Sequence, residues 1–300
     1  MTPPAPGHVP QPGQHGYSVG AGPATNQLGF VTVRGRLYAP LEGVNPADVL
    51  MGGYAFLDWT DNGHTRHPGA DLNAGAGDCN ADEGLGVVAP LGGVVRAIRY
   101  AAAGEGNHVW LELDDPLLPG PTWMHVDHLF DVTCREGQRL GPGEPIGLCG
   151  RSGGWSCAHL HLELLKGPPH DGYGQWPYGW SQAQVEAAYY RPLTWWQAAT
   201  ARVLADANQP IPPEVVAMLS DWELLNWVMP DLWGWAGVPY NPEALTSKAW
   251  LKELREGRYR GRPRTADRPY GEGDAAGHWA EFDAGVVVSR TAGGEWSWHG

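Results

Sequence analysis

His159-Leu160-His161-Leu162-Glu163-Leu164 alternates polar and apolar residues without a break. A period of two marks a half-buried β-strand. Leu160, Leu162 and Leu164 take its core face, while His159, His161 and Glu163 share the other, with about 6 to 7 Å between successive same-face residues. Two imidazoles therefore look into one space. Far upstream, His67-Pro68-Gly69-Ala70-Asp71 brings an imidazole and a carboxylate close in sequence. Pro68 and Gly69 oppose a helix there, which excludes the helical His-Glu-x-x-His metal motif. His67 and Asp71 instead bracket a turn that enters a strand at Leu72.

Either segment alone is weak. A single His-x-x-x-Asp is usually a surface turn, and a single His-x-His is usually an ordinary half-buried pair. Together they supply the donors of a catalytic zinc site, which takes three ligands from His, Asp, Glu or Cys and leaves a fourth position open. The histidines also cluster: eight of twelve, at 64, 67, 108, 125, 128, 159, 161 and 170, fall in little more than a third of the chain. On these residues the chain reads as a zinc hydrolase.

Several further segments fall in a fixed order. His67-Pro68-Gly69-Ala70-Asp71-Leu72 is followed by Gly86-Val87-Val88-Ala89-Pro90, Gly93-Val94-Val95 and Gly106-Asn107-His108-Val109. Glu136 to Gly147 then leads to Gly150-Arg151-Ser152-Gly153 and His159-Leu160-His161-Leu162-Glu163. This series resembles the lysostaphin-like zinc metalloendopeptidases, over roughly residues 54 to 166. The resemblance implies a peptidase acting on bacterial cell-wall peptidoglycan, with His67, Asp71 and His161 as zinc ligands and His159 beside the metal. Trp155-Ser156-Cys157-Ala158 departs from the family's usual small-residue turn, which leaves the ligands intact and reshapes one wall of the cleft.

Zinc held by two neutral imidazoles and one carboxylate keeps a positive charge, which acidifies a water and polarises a scissile carbonyl. A base for that water and a donor for the oxyanion are still needed, and unligated histidines can serve as either. His159 is one candidate. The other is ambiguous, because Trp123-Met124-His125-Val126-Asp127-His128-Leu129 offers two histidines. The family it resembles has one histidine here: counting back from Gly137 favours His128, while aligning Trp123 with the aromatic residue that usually stands two places before the family's histidine favours His125. The aromatic alignment is preferred here, with a strand from Trp123 to His125 aiming the earlier imidazole into the cleft.

Composition bounds the rest. A net charge of -13 and only three lysines make nucleic acid an unfavourable partner. No run approaches the ~18 apolar residues of a membrane span. Met1 to His8 lacks the basic start and apolar run of a secretory signal, although a wall enzyme acts outside the cytoplasm. An extracytoplasmic protein is therefore expected to be phage-released or virion-associated, exported by another route, or read without its signal. Cys149 and Cys157 flank Gly150 to Ser156 as a possible disulfide, and Cys79 with Cys134 is a second; free thiols remain the alternative.

The predicted architecture is β-rich and α+β overall. Residues 1–26, rich in Pro, Gly and Gln, form an arm, and 27–168 form an antiparallel β-sheet zinc endopeptidase domain. Residues 169–256 form a mostly helical, Trp-rich C-terminal region, and 257–300 a linker and β-hairpin. Ser181 with Gln184 starts a helix to about Tyr190, with others at 194–207, 213–228 and 242–256. The stretch from Gly172 to Trp180 is a linker or cleft rim. Twelve of sixteen tryptophans follow residue 175. Trp222, Trp227, Trp233 and Trp235 either build a small core, the favoured reading, or face sugars or a partner protein, phage or wall-associated. Two other functions stay open: a non-catalytic wall-binding or virion structural module of the same fold, and an endopeptidase for Gly-rich proteins.

Overall fold

In a computed structural model, the residues described are 37–41, 54–60, 65–73, 80–114, 123–169, 172–173, 176–207, 209–224, 245–258, 268–270, 277–282, 285–290 and 296–299. The predicted arm, Cys79, His64, His170, Trp227, Trp233 and Trp235 lie outside them, as does the side chain of Trp222. The chain divides into two compact units, Met1–Trp196 and Gln197–Gly300.

Eleven short strands build the first unit: β1 (Trp59–Thr60), β2 (Thr65–Arg66), β3 (Ala70–Leu72), β4 (Gly86–Val88), β5 (Gly93–Tyr100), β6 (Asn107–Leu113), β7 (Trp123–Asp127), β8 (Asp131–Val132), β9 (Arg139–Leu140), β10 (Pro145–Leu148) and β11 (Leu160–Leu165). Six form an antiparallel sheet in the order β3-β11-β7-β6-β5-β9, and β4-β10-β8 form a smaller one. The antiparallel β-rich fold read from the sequence is the observed one.

The central sheet has two unlike faces, and the alternation of β11 generates both. Leu160, Leu162 and Leu164 pack with Leu72, Val109, Leu111, Met124 and Val126, all without exposure. On the other face the register sets Asp71 opposite His161 and His161 opposite Asp127. Two residue pairs further along, Glu163 faces His125, and His125 faces Trp110. Beyond these, Leu165 and Trp123 join Leu57, Ala97, Val185 and Tyr189 in an apolar cluster. This second face thus runs from an apolar end to a fully buried polar row.

The apolar end is closed by α1 (Gln182–Ala188), whose start is the predicted capping box: Gln184 N–H donates to Ser181 Oγ, and Ser181 N–H donates to Gln184 Oε1. Then α2 (Pro192–Asp206) runs across the boundary between the units, with Trp195 and Trp196 buried.

In the second unit, α3 (Pro213–Met218) gives way at Leu219 to α4 (Asp221–Glu223), where Ser220 forms a second capping box with Glu223. The helix expected over 213–228 is therefore interrupted, because Leu219 turns extended and Ser220 caps the next helix. Here α5 (Leu245–Arg255) buries Trp250, and Arg255 donates to Leu219 O and Asp221 Oδ1. The C-terminal hairpin is part of a larger antiparallel sheet, β12 (Arg268–Tyr270), β13 (Gly277–Phe282), β14 (Gly285–Arg290) and β15 (Trp296–His299). Its first strand lies within a stretch read from the sequence as loose connection, because only three residues pair and no alternation announces them. Among the described residues no helix is long and apolar enough to cross a membrane.

Candidate metal centre and cleft

The turn at His67 to Asp71 is pressed against β11, and Gly69 permits it. A Cβ at this position would lie 2.3 Å from Leu162 O and 3.0 Å from His161 Cε1. Backbone bonds from Leu57 N to His67 O, His67 N to Asp58 O and Asp71 N to Tyr54 O fasten the other side.

Each ligand candidate has one polar atom tied back and another turned inward. His67 Nδ1 lies 2.9 Å from Gly69 O, which makes Nδ1 the donor and leaves Nε2 its lone pair. His161 Nε2 lies 3.1 Å from Glu163 Oε1, which leaves the lone pair on Nδ1. Asp71 Oδ2 accepts from Tyr54 N–H at 2.8 Å and leaves Oδ1 free. The three inward atoms converge. His67 Nε2 is 3.0 Å from His161 Nδ1, His161 Nδ1 is 3.0 Å from Asp71 Oδ1, and His67 Nε2 is 3.2 Å from Asp71 Oδ1.

Three acceptors at such separations repel unless a cation lies among them. Tetrahedral zinc, with ligands at about 2.0–2.1 Å, holds its donor atoms about 3.3 Å apart, so the donor set fits zinc. Burial pushes the Asp71 carboxyl up, but His67 and His161 hold it well below the usual carboxylate range. It is therefore ionised near neutrality, as a ligand must be.

The set lies in a cavity of about 620 Å³ lined also by Tyr54, Glu105, Asp127, His128, Trp155, His159, Trp176 and Tyr178. His159 and His128 form one wall, with ring centroids 4.6 Å apart. His159 Nδ1 lies 3.2 Å from Cys157 O, which leaves Nε2 unprotonated and 3.9 Å from Asp71 Oδ1. Burial lowers the pKa of both, that of His128 to about 3, so both rings are neutral at pH 7.

The structure separates the two ambiguous histidines in the opposite sense to the aromatic alignment. His125 does not line the cavity. It stays in register on β7, stacked on Trp110 at 3.8 Å, with Nδ1 3.2 Å from Glu163 Oε2 and Nε2 2.7 Å from Asp127 Oδ1. Burial alone would lower its pKa, but the two carboxylates raise it to about 9. The physical cause is at the strand end. His128 has φ +65°, a left-handed backbone that breaks the alternation and swings its side chain to the cleft. Its N–H donates to Glu105 O and its carbonyl accepts from Ser152 N–H, so the Gly150-to-Gly153 segment holds the turn.

Trp155 occupies the wall where the sequence departs from its relatives. Its ring lies 5.1 Å from His128 and 5.5 Å from His159, and Nε1–H donates to Gly104 O. On the opposite side Trp176, from the predicted rim, stands 5.7 Å from His67 and 5.5 Å from His161. Cys134, Cys149 and Cys157 are free thiols, so the Cys149–Cys157 bridge does not form; Cys149 turns into the core while Cys157 sits in the loop beyond the Gly150–His159 bridge. The pairing of Cys134 with Cys79 falls partly outside the described residues.

Two histidines and an aspartate thus converge between antiparallel strands as a set that could hold a metal ion. Residues 65–172 match the model of Peptidase family M23, so the chain carries a peptidase domain of that family. Among solved structures it is similar to a zinc-containing peptidase from Vibrio cholerae (21% identity, 44% of this chain, 36% of that one, TM-score 0.32). It is also similar to the catalytic domain of the antimicrobial peptidase lysostaphin from Staphylococcus simulans (23%, 38% and 77%, TM-score 0.31). A third is a mutant catalytic domain of the prophage-encoded M23 protein EnpA from Enterococcus faecalis (24%, 42% and 94%, TM-score 0.31). The match thus spans little more than a third of the Vibrio cholerae structure. A search of curated proteins finds no match.

Two parts of the site escaped the sequence reading. Glu163 was placed on the ligand face, but its role in fixing the His161 tautomer needs the 3.1 Å contact. Asp127 and His108 were passed over, although alternation along β6 and β7, once paired, sets both on the same face as His161.

Proposed function

We propose that this protein is a zinc-dependent endopeptidase that hydrolyses peptide bonds in bacterial peptidoglycan, acting outside the cytoplasm. The observation that carries the reading is the convergence of His67 Nε2, Asp71 Oδ1 and His161 Nδ1 at one end of a cavity walled by two neutral imidazoles. When bound there, zinc supplies Lewis-acid polarisation of the scissile carbonyl and a water acidic enough to react near pH 7.

The chain's own residues do the rest. Glu163 accepts from His161 Nε2–H, which fixes the ring and keeps Nδ1 available as a ligand. His159 Nε2 takes the proton of the attacking water, and the Cys157 carbonyl holds the tautomer that makes this possible. His128 faces the same space and donates to the carbonyl oxygen as it gains charge. Water adds to the carbonyl carbon, the C–N bond breaks, and the proton collected by His159 passes to the departing amine. The Trp155 and Trp176 rings narrow the approach, a fit for the short side chains and glycines of a cross-link.

Purified peptidoglycan treated with zinc-loaded protein should release fragments carrying new amino groups and no new reducing sugar ends, with His161→Ala inactive. Release of reducing ends, or of nothing while a glycine-rich soluble protein is cut, overturns the substrate assignment. The Trp-rich second unit is proposed to hold the enzyme at the wall or at a phage partner. In that unit Trp250 is buried as core, while Trp298 is half-buried with its ring 5.1 Å from Phe282.

A further inference from the structure

Beside the metal centre lies a second convergence of the same chemical kind. His108, His125 and Asp127 each turn one donor atom inward, all within 4.8 Å of one another, and their exposures are 2%, 2% and 1%. Strands β6 and β7 bring them together: Val109 pairs with Val126 and Trp110 with His125, so His108 and Asp127 emerge side by side on the face that carries His125. The rings are fixed. His125 stacks on Trp110 within 10° of parallel and meets His108 edge-on at 5.1 Å.

The outer nitrogen of each ring is occupied. His108 Nδ1 lies 3.2 Å from Gly106 O, and His125 Nδ1 lies 3.2 Å from Glu163 Oε2. Each Nδ1 is therefore the donor and each Nε2 faces inward; without an ion, Nε2 of His125 holds its proton against Asp127, and a bound metal would take that proton's place. His108 Nε2 and Asp127 Oδ2 have no hydrogen-bond partner, and the one close contact of His125 Nε2 is Asp127 Oδ1 at 2.7 Å. A buried carboxylate in that state is among the costliest groups to leave unpaired. Two inward-facing imidazole nitrogens and a carboxylate, each ring oriented from behind by a carbonyl or carboxylate, are a donor set that suits a metal ion.

We propose that His108, His125 and Asp127 form a second divalent-metal site, binding zinc or an ion of similar borderline character through two imidazole nitrogens and one carboxylate oxygen. The donor types select this class over calcium or magnesium, which need oxygen ligands. Asp127 and Glu105 line the cavity, so an ion and its remaining waters enter from the cleft. Glu163 links the two sites: Oε1 accepts from His161 and Oε2 from His125, so one carboxylate orients a ligand of each. Filling the second site thus bears on how firmly His161 is held in the first.

The test is metal stoichiometry on the full chain, stripped with a chelator and titrated with zinc, and with cobalt for its visible absorption. Two equivalents are expected for the wild type, and one each for Asp127→Asn, His108→Gln and His161→Ala. The single equivalent of His161→Ala should vanish when Asp127→Asn is added. A wild type that saturates at one equivalent, kept in Asp127→Asn and lost in His161→Ala, overturns the second site and leaves the first. Nitrogen NMR would then find a proton on both ring nitrogens of His125, which is the competing occupant of the space. One equivalent kept in His161→Ala but lost in Asp127→Asn supports the second site and overturns the reading of the first. Should the variants fail to fold by circular dichroism, two spectrally distinct cobalt increments in the wild type support the proposal and a single one overturns it.

Discussion

Replacing His128 and His125 separately by asparagine distinguishes a residue that faces the reaction from one that holds the sheet together. At His128 the backbone is left-handed, a conformation costing most residues about 1–2 kcal/mol and tolerated by asparagine. The substitution also puts an amide atom near the position of Nδ1, so it leaves no new buried group without a partner. These effects offset the packing lost beside an open cavity, so His128→Asn should unfold within about 4 °C of wild type. Zinc at the first site should stay at full stoichiometry, and hydrolysis should fall about 10²- to 10⁴-fold, the usual contribution of one positioned acid or base. His125→Asn should behave in reverse. It removes the cation, proton-bearing or metal-bound, that stands between Asp127 and Glu163, and breaking such a buried pair costs about 3–5 kcal/mol. Unfolding should drop by about 10 °C or more, with the first zinc retained and residual activity well above that of His128→Asn. Scanning calorimetry, elemental analysis and release of amino groups from peptidoglycan read all three quantities. An inactive His125→Asn of wild-type stability beside an active His128→Asn would refute the assignment and restore the alignment on Trp123.

Gly69→Ala should cost about 1–3 kcal/mol and at least tenfold in zinc affinity, because its Cβ would sit 2.3 Å from Leu162 O on the strand that carries His161; unchanged affinity by competition with a chelating dye would count against the close approach. His67→Ala and Asp71→Asn should each abolish zinc binding at the first site together with hydrolysis, checked by elemental analysis. Metal-free protein should be most stable between about pH 6 and 7. Below the unfolded histidine value near 6.5, the unfolded chain takes up protons that buried His128, His108 and His159 refuse, so stability falls with acid by about 1.4 kcal/mol per pH unit for each group. Above it, His125 keeps a proton the unfolded chain has lost, so stability also declines as pH rises toward about 9. Thermal unfolding across pH in chelator checks this, and a flat profile on both sides would contradict it. A fragment of residues 27–207, which keeps α2 whole, should cut soluble wall fragments as well as the full chain but intact walls more slowly; equal rates on intact walls would leave the second unit without a targeting role.

Much of this site was legible because it depends on local period. The alternation at His159 to Leu164 alone places two histidines and a glutamate on one face of a strand, and Pro68-Gly69 alone forces a turn rather than a helix. The capping box at Ser181 and Gln184 is equally local, and the helix starts where it indicates. What the sequence withheld depends on contacts between distant strands. Nothing near Glu163 says that its two oxygens serve different histidines, since that follows from β7 lying beside β11 with His125 opposite Glu163. The same holds for His108, which is one residue of a strand until β6 is laid against β7.

The choice between His125 and His128 shows how narrow that limit is. Alternation from Trp123 to Asp127 carries Trp123, His125 and Asp127 to the same face as His161, so a strand that simply continued would favour His125. Two further facts reverse the outcome. The place across from His161 on β7 is taken by Asp127, which puts His125 two pairs further from the metal ligands, opposite Glu163. The next residue then leaves the β conformation altogether, and the left-handed turn at His128 returns an imidazole to the cleft that the alternation had pointed away. A non-glycine residue held in that region at a strand end marks strain kept for a purpose. Here three residues from two segments fasten it: Glu105 at its N–H, Ser152 at its carbonyl, and Asn107 at the following residue through the Leu129 N–H bond and its own Nδ2–H to the Leu129 carbonyl. Relaxing that clamp without touching the imidazole is therefore the sharpest probe of the turn. Asn107→Ala should lower hydrolysis at least tenfold while zinc stays bound at the first site. Full activity in that variant would mean that His128 reaches the cleft without being held there.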